Sequence, residues 1–174
     1  MAQVNINIQS PVWATIANFK KWKESLLMLF QATVKEVYDG HKAISVNMLL
    51  TDDADICQLN KVFRGKDAAT NVLSFPQYSR EDICKIDTLV AKNCIEIGDI
   101  AISYGVIVRE SAKLGLDFLD RCSHLFVHGV LHLFGLGHVD DTEAKQMEAK
   151  EIKILSQFGV SNPYKCSGNK ALWD

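Results

Sequence analysis

The chain has 174 residues, enough for one domain with a substantial core. Hydrophobic residues make up 48% and charged residues 23%, the composition of an ordinary globular protein, and no apolar run reaches the roughly 18–20 residues that span a bilayer. A net charge of −2 removes any bulk electrostatic case for nucleic-acid binding, so such a role must rest on a local cluster. The compact one is Lys61, Arg64 and Lys66.

The first residues show no basic segment followed by an apolar one, so no secretory signal is read and the cytoplasm is the expected location. Five cysteines, odd in number and without a C-x-x-C pair, read as reduced thiols rather than a disulfide framework.

In chain order, Val4, Ile6 and Ile8 alternate with Asn5, Asn7 and Gln9, the period of a half-buried strand. Ser10-Pro11 opens a helix from Val12 to about Val37, in one piece or two, with Trp13, Trp22, Leu26 and Phe30 on its buried side. Ala43–Leu50 is a second strand. Thr51-Asp52-Asp53 caps a helix from about Ala54 to Phe63. Asn71–Phe75 is a strand stopped by Pro76. From Gln77 to Asn93 the pattern is lost, and a surface excursion is expected. Ile95–Ile102 resumes as a strand, and Ser103 caps a helix that Gly115 ends. Asp117 starts the next helix, and Thr142 caps a last one from about Glu143 to Phe158. Residues 1–160 form one domain and 161–174 a frayed tail. This order argues for an α+β fold, with a small mixed sheet of about four strands packed with five or six helices.

The most informative stretch is His124–Asp141, HLFVHGVLHLFGLGHVDD, which holds four of the five histidines. On a helix, His128 and His132 leave the same face one turn apart. Gly135 and Gly137 break the helix and let His138 swing back toward them. Three neutral imidazoles converging with a fourth position open is the arrangement of a catalytic zinc site. A lone histidine on an apolar face is usually a core residue, but the spacing H-x3-H-x5-H is hard to reach by chance. Metzincin peptidases share that spacing, yet their general-base glutamate is replaced here by Gly129. Cys122 points away from the His128/His132 direction and reads as core. A contiguous triad of 124, 128 and 132 would stretch too far for one ion, since each turn rises about 5.4 Å. His124 is therefore expected behind the ligands or in a structural place.

Three blocks resemble the YbeY family of zinc-dependent endoribonucleases, the rRNA maturation factors. They are Leu59–Pro76 (LNKVFRGKDAATNVLSFP), Ile97–Ile102 (IGDIAI) and His124–His138 (HLFVHGVLHLFGLGH). Met147–Leu155 is similar to the family's closing helix. The resemblance implies a mixed α/β fold and a metal held by the histidines of H-G-x-L-H-L-x-G-x-x-H, which fall on His128, His132 and His138. The basic residue of L-N-x-x-F-R falls on Arg64 and is implicated in RNA cleavage. The implied activity is metal-dependent cutting of single-stranded RNA, in maturing the 3′ end of small-subunit rRNA and in ribosome quality control. The implied partners are rRNA and the ribosomal small subunit or its proteins, with no membrane and an oligomeric state left open. Asn71 and Gly137 stand where the family commonly has aspartate. If either aspartate positions water or the last histidine, its role passes to Asp140 or Asp141.

The expected chemistry is phosphodiester hydrolysis at one Zn2+ ion held by three histidines and a water whose pKa the ion lowers to roughly 7. Arg64 presents its planar fork of donors to the phosphate; the alternative for it is a helix cap. His124, Ser74 and Asp99 are further candidates, behind the ligands or in contact with substrate, while the ordinary readings are a solvated serine and a turn aspartate. Two rival functions remain: a metallopeptidase, and a non-catalytic ribosome-associated factor with structural zinc.

Overall fold

The computed structural model describes residues 2–138 and 140–165. Four strands form one mixed sheet: β1 (Ala2–Ile8), β2 (Ala43–Thr51), β3 (Val72–Pro76) and β4 (Cys94–Ser103), in spatial order β1-β2-β4-β3. β1, β2 and β4 run parallel, and β3 is an antiparallel edge strand on β4. This is the expected α+β class.

One face of the sheet carries the core. Ile44, Val46, Met48 and Leu50 of β2 and Ile95, Ile97, Ile100 and Ile102 of β4 are all buried there. Against them lie α1 (Phe19–Val37), α6 (Phe118–Leu133) and α7 (Asp141–Ser156). α1 buries Phe19, Trp22, Leu26, Leu29, Phe30 and Thr33, the spacing of one helical stripe. α6 is buried on nearly its whole circumference from Arg121 to Leu131, because the sheet, α1 and α7 all pack on it. Each fully buried Leu or Phe side chain contributes roughly 1.5–3 kcal/mol.

Trp13 and Trp22 are core residues, as expected, while Trp173 lies outside the described residues. Trp13 is wholly buried and donates through its indole N–H to the Thr51 carbonyl at 2.9 Å. Trp22 donates to the Ser123 hydroxyl at 2.9 Å, which fixes α1 against α6. Cys122 is also core, and burial pushes its thiol well up. Cys57, Cys84 and Cys94 are free thiols, while Cys166 lies outside the described residues.

The other face is covered only in part, by α2 (Asp53–Arg64), over a small cluster of Ile56, Leu73 and Ala101. α5 (Tyr104–Leu114) follows β4 directly.

Several boundaries differ from the sequence expectation for reasons of capping. The stretch after Ser10 is a short 3-10 turn (Pro11–Thr15), and Ser10 makes no side-chain cap bond. Asn18 at φ 61° then separates the turn from α1. Asp140, not Thr142, caps α7, accepting from the Thr142 and Glu143 amides at 2.8 Å each. Ser103 does not cap α5; its hydroxyl donates to Asp53, which also accepts from the Val106 amide.

The excursion at 77–93 is not featureless. It forms two single-turn helices, α3 (Arg80–Ile83) and α4 (Ile86–Leu89), which bury Ile83 and Ile86 in the main core. At the end of β3, Gly98 takes φ 140°, and a Cβ there would stand 2.2 Å from the Phe75 carbonyl oxygen. Only glycine lets β4 pass so close at this bulge. Among the described residues no helix is long and apolar enough to cross a membrane.

Candidate metal centre

α6 begins at Asp117, whose carboxylate accepts from the Leu119 and Asp120 amides. It ends at Leu133, after which Gly135 turns the chain at φ 78°. Arg80 packs on this turn: a Cβ on Gly135 would lie 2.9 Å from the Arg80 side chain. Arg80 is held in turn by Glu143 of α7 at 2.7 Å. Gly137 is not among the described glycines with positive φ, so the glycine-dependent angle belongs to Gly135 alone.

The turn brings His138 back to the helix. One ligand atom from each of His128, His132 and His138 lies within 4.8 Å of the others, as a shared cation needs. The ring centroids are 4.4 Å (128–132), 5.0 Å (132–138) and 5.5 Å (128–138) apart. His128 is buried, His132 half-buried and His138 exposed, so the cluster opens to solvent on one side.

Hydrogen bonds fix the tautomers. His128 Nδ1 lies 2.8 Å from a Glu151 oxygen, and His132 Nδ1 lies 2.9 Å from the Leu136 carbonyl. A carboxylate and a carbonyl only accept, so both Nδ1 atoms carry the proton and both Nε2 atoms present lone pairs. Those two Nε2 atoms face each other at 2.9 Å. Two lone pairs at that distance repel unless a cation lies between them, so the donor set fits a metal ion. Burial pushes the His128 imidazole down to about 3 and lowers that of His132 as well. Both rings are thus neutral, the form that binds metal.

Glu151 is the residue that sequence reasoning missed. It sits fully buried on α7 and accepts from three donors. His128 bonds one oxygen, and His124 Nε2 (2.9 Å) and the Tyr164 hydroxyl bond the other. Burial would raise its carboxyl, but the hydrogen bonds and positive partial charges of His124 and His128 bring it down to about 2. The signal was present: Met147, Glu151, Ile154 and Leu155 form the buried stripe of α7, and a charge on an apolar stripe needs a partner.

His124 is not a ligand. Arg121 donates to its Nδ1 at 3.0 Å, so its Nε2–H points at Glu151. Arg121, 1% exposed, also forks onto Glu110 at 2.8 and 3.1 Å. Glu110 accepts in turn from the Asn71 carboxamide at 2.9 Å. Asn71 therefore anchors a buried polar chain, Asn71–Glu110–Arg121–His124–Glu151–His128, that ends on the cluster. Tyr164, from the stretch assigned to the tail, packs edge-on against His124 at 5.4 Å. Residues 166–174 of that tail lie outside the described residues.

The other candidates divide. Arg64 is exposed at the end of α2, and its charge reaches His132, where it favours the neutral ring. Lys61 is occupied by Asp67 at 2.7 Å. Ser74 faces α6, its hydroxyl 3.1 Å from where a Gly129 Cβ would sit. Asp99 points to the opposite face of the sheet, hydrogen-bonded to Asn47 at 2.9 Å, and does not join the histidines. Asp140 is committed to capping α7.

Gly129 stands where peptidases carry their base. A Cβ there would meet the Ile100 side chain at 3.0 Å and the Ser74 hydroxyl at 3.1 Å, so a glutamate would require both to give way by a few tenths of an ångström.

Residues 6–159 match the family described as Endoribonuclease YbeY. A curated Endoribonuclease YbeY from Sphingopyxis alaskensis is 41% identical over 128 residues, 72% of this chain and 74% of that protein. The solution structure of TM1509 from Thermotoga maritima superposes with a TM-score of 0.56 over 98% of this chain and 99% of that one, at 24% identity, which speaks for the fold. With the three-histidine cluster in place and the match running nearly end to end, this chain belongs to the endoribonuclease YbeY family.

Proposed function

We propose that the chain is a metal-dependent endoribonuclease that hydrolyses phosphodiester bonds of single-stranded RNA at the His128/His132/His138 cluster. Its family's role is rRNA maturation, and the reading extends that role here to the small-subunit rRNA 3′ end and to ribosome quality control. The observation that carries the proposal is the pair of opposed Nε2 lone pairs, 2.9 Å apart and open on the solvent side. Residues 1–160 are the catalytic unit, acting in the cytoplasm on rRNA and the small subunit.

The preferred ion is Zn2+, suited to three imidazoles with one open position, where it supplies Lewis acidity and an activated water. The residues do the rest. Glu151 and the Leu136 carbonyl hold two imidazoles in the ligating tautomer. Arg64, exposed and with its charge felt at His132, grips the scissile phosphate and offsets its added charge in the transition state. Ser74, facing the same side of the sheet as α6, is available to the substrate.

The test pairs elemental analysis with cleavage of single-stranded RNA, with and without chelator, and with casein as the protein control. Arg64→Ala is expected to keep its metal and lose RNA cleavage sharply; unchanged cleavage removes Arg64 from the mechanism. A folded, inactive His132→Ala supports a catalytic metal, and an unfolded one supports a structural metal. Casein cleavage is not expected, since Gly129 supplies no peptidase base.

A further inference from the structure

A second recess lies on the face of the sheet opposite the histidines. It holds about 600 Å³ between β1 and α2 and is lined by Asn7, Asn47, Asp99, Leu59, Phe63 and Phe75, among others. Most of its lining is apolar, and a polar ladder that begins at Gln3 outside it enters through Asn5, Asn47 and Asp99 across three parallel strands. Gln3 donates to Asn5 at 2.6 Å, Asn5 to Asn47 at 2.9 Å, and Asn47 to one oxygen of Asp99 at 2.9 Å. Among the described residues the second oxygen of Asp99 and the Asn7 carboxamide have no partner. The wall is Phe63, 63% exposed, set edge-on against Phe75 at 5.0 Å.

The chemistry selects the occupant. The lining holds no lysine or arginine and one carboxylate, so the groove does not suit a phosphate. An aliphatic side chain of a protein partner would cover the open amide and carboxylate without satisfying them. A flat ring with a polar edge satisfies both parts: its face stacks on Phe63 and its donors meet Asp99 and Asn7.

Position then ties the groove to the reaction. Phe63 directly precedes Arg64, whose charge is felt at His132. Phe75 faces the groove while its neighbour Ser74 faces α6 at Gly129. Groove and cluster therefore stand back to back across β3, and β3 is a sheet edge around which a flexible strand can pass.

We propose that this groove is the subsite for a nucleobase of single-stranded RNA flanking the cleaved bond, stacked on Phe63 and read by Asp99; it rests on the endoribonuclease reading. Cytosine is favoured over uracil there, because the cytosine amino group donates to the Asp99 carboxylate whereas uracil turns an acceptor toward it.

Initial rates of the purified full-length protein on short oligocytidine and oligouridine reporters test this. Phe63→Ala is expected to raise KM on both by roughly 5- to 100-fold, the range for losing one base–aromatic stack, and Phe63→Trp to restore it. Asp99→Asn is expected to shrink the preference for cytidine. An unaltered KM in Phe63→Ala, or wild-type protein indifferent to cytidine and uridine, overturns the subsite and leaves the endoribonuclease reading standing. Wild-type protein that cuts neither oligomer overturns both. Phe63 and Asp99 are both exposed, so the variants fold, as circular dichroism will verify.

Discussion

His124 and His128 stand one turn apart on α6, share the carboxylate of Glu151, and end in opposite chemical situations. His124 has both ring nitrogens engaged, by Arg121 on one side and Glu151 on the other. His128 spends only Nδ1 on Glu151, and its Nε2 looks across 2.9 Å at the Nε2 of His132. Both rings are almost wholly buried, and both have their imidazole lowered first by burial. What separates the ring that joins the cluster from the ring behind it is therefore the second nitrogen, not burial or helix face. The carboxylate between them passes the position of one ring to the other.

Removing His128 should break this contrast most. His128→Ala is expected to lower metal affinity by more than about 100-fold, beyond the range for losing an outer partner of a ligand. Competition against a chromophoric chelator measures it. Glu151→Gln comes next. It removes the negative charge and replaces one of the two acceptor oxygens shared by His128, His124 and Tyr164 with a donor, so affinity falls about 10- to 100-fold in the same assay. If Glu151→Gln binds metal like the wild type, the carboxylate's charge is not what supports the His128 imidazole.

His124→Ala sharpens the contrast from the other side. It leaves Arg121 and Glu151 each short of a partner, so urea unfolding should show a loss of about 1–3 kcal/mol. Metal affinity in that variant should fall by less than in Glu151→Gln.

The smallest effect is on pH. The folded His128 titrates at about 3 against 6.5 for a free ring, so the stability of metal-free protein drains away as pH falls below 6.5. Glu151 at about 2 against 4.5 contributes further stability that is fully present above 4.5 and lost as pH falls toward 2. Denaturant midpoints between pH 7 and pH 4 should decrease steadily; a flat profile would contradict neutral, buried His128.

Much of this was legible in the chain. The spacing of His128, His132 and His138 placed a turn of helix and a reversal, and Asp117 and Asp52 marked helix starts that proved to be caps. Alternation found β1, and the strands expected at Ala43–Leu50 and Ile95–Ile102 match β2 and β4 to within a residue at each end. What was not legible lay between elements distant in sequence. Glu151 reaches His128 across 23 positions and Asn71 reaches Glu110 across 39, and a periodic pattern carries no information about such pairs. The excursion at 77–93 hid Ile83 and Ile86 because two isolated buried residues on single-turn helices make no period. Asp99, following a glycine, read equally well as a turn residue, as one behind the ligands or as a substrate contact. The bulge at Gly98 and the alternation of the strand instead turn it to the far face.

The seating of Arg80 on Gly135 places two demands on a single position. Asparagine tolerates the left-handed backbone angle better than other residues with side chains, so on angle alone it could serve there. Space forbids it, since the arginine's aliphatic stem already fills the volume that a first side-chain carbon would take. The reversal that delivers His138 is thus clasped from outside by a segment that supplies no ligand. Arg80, itself held by Glu143 of α7, ties the turn before His138 to a segment that carries none of the three histidines.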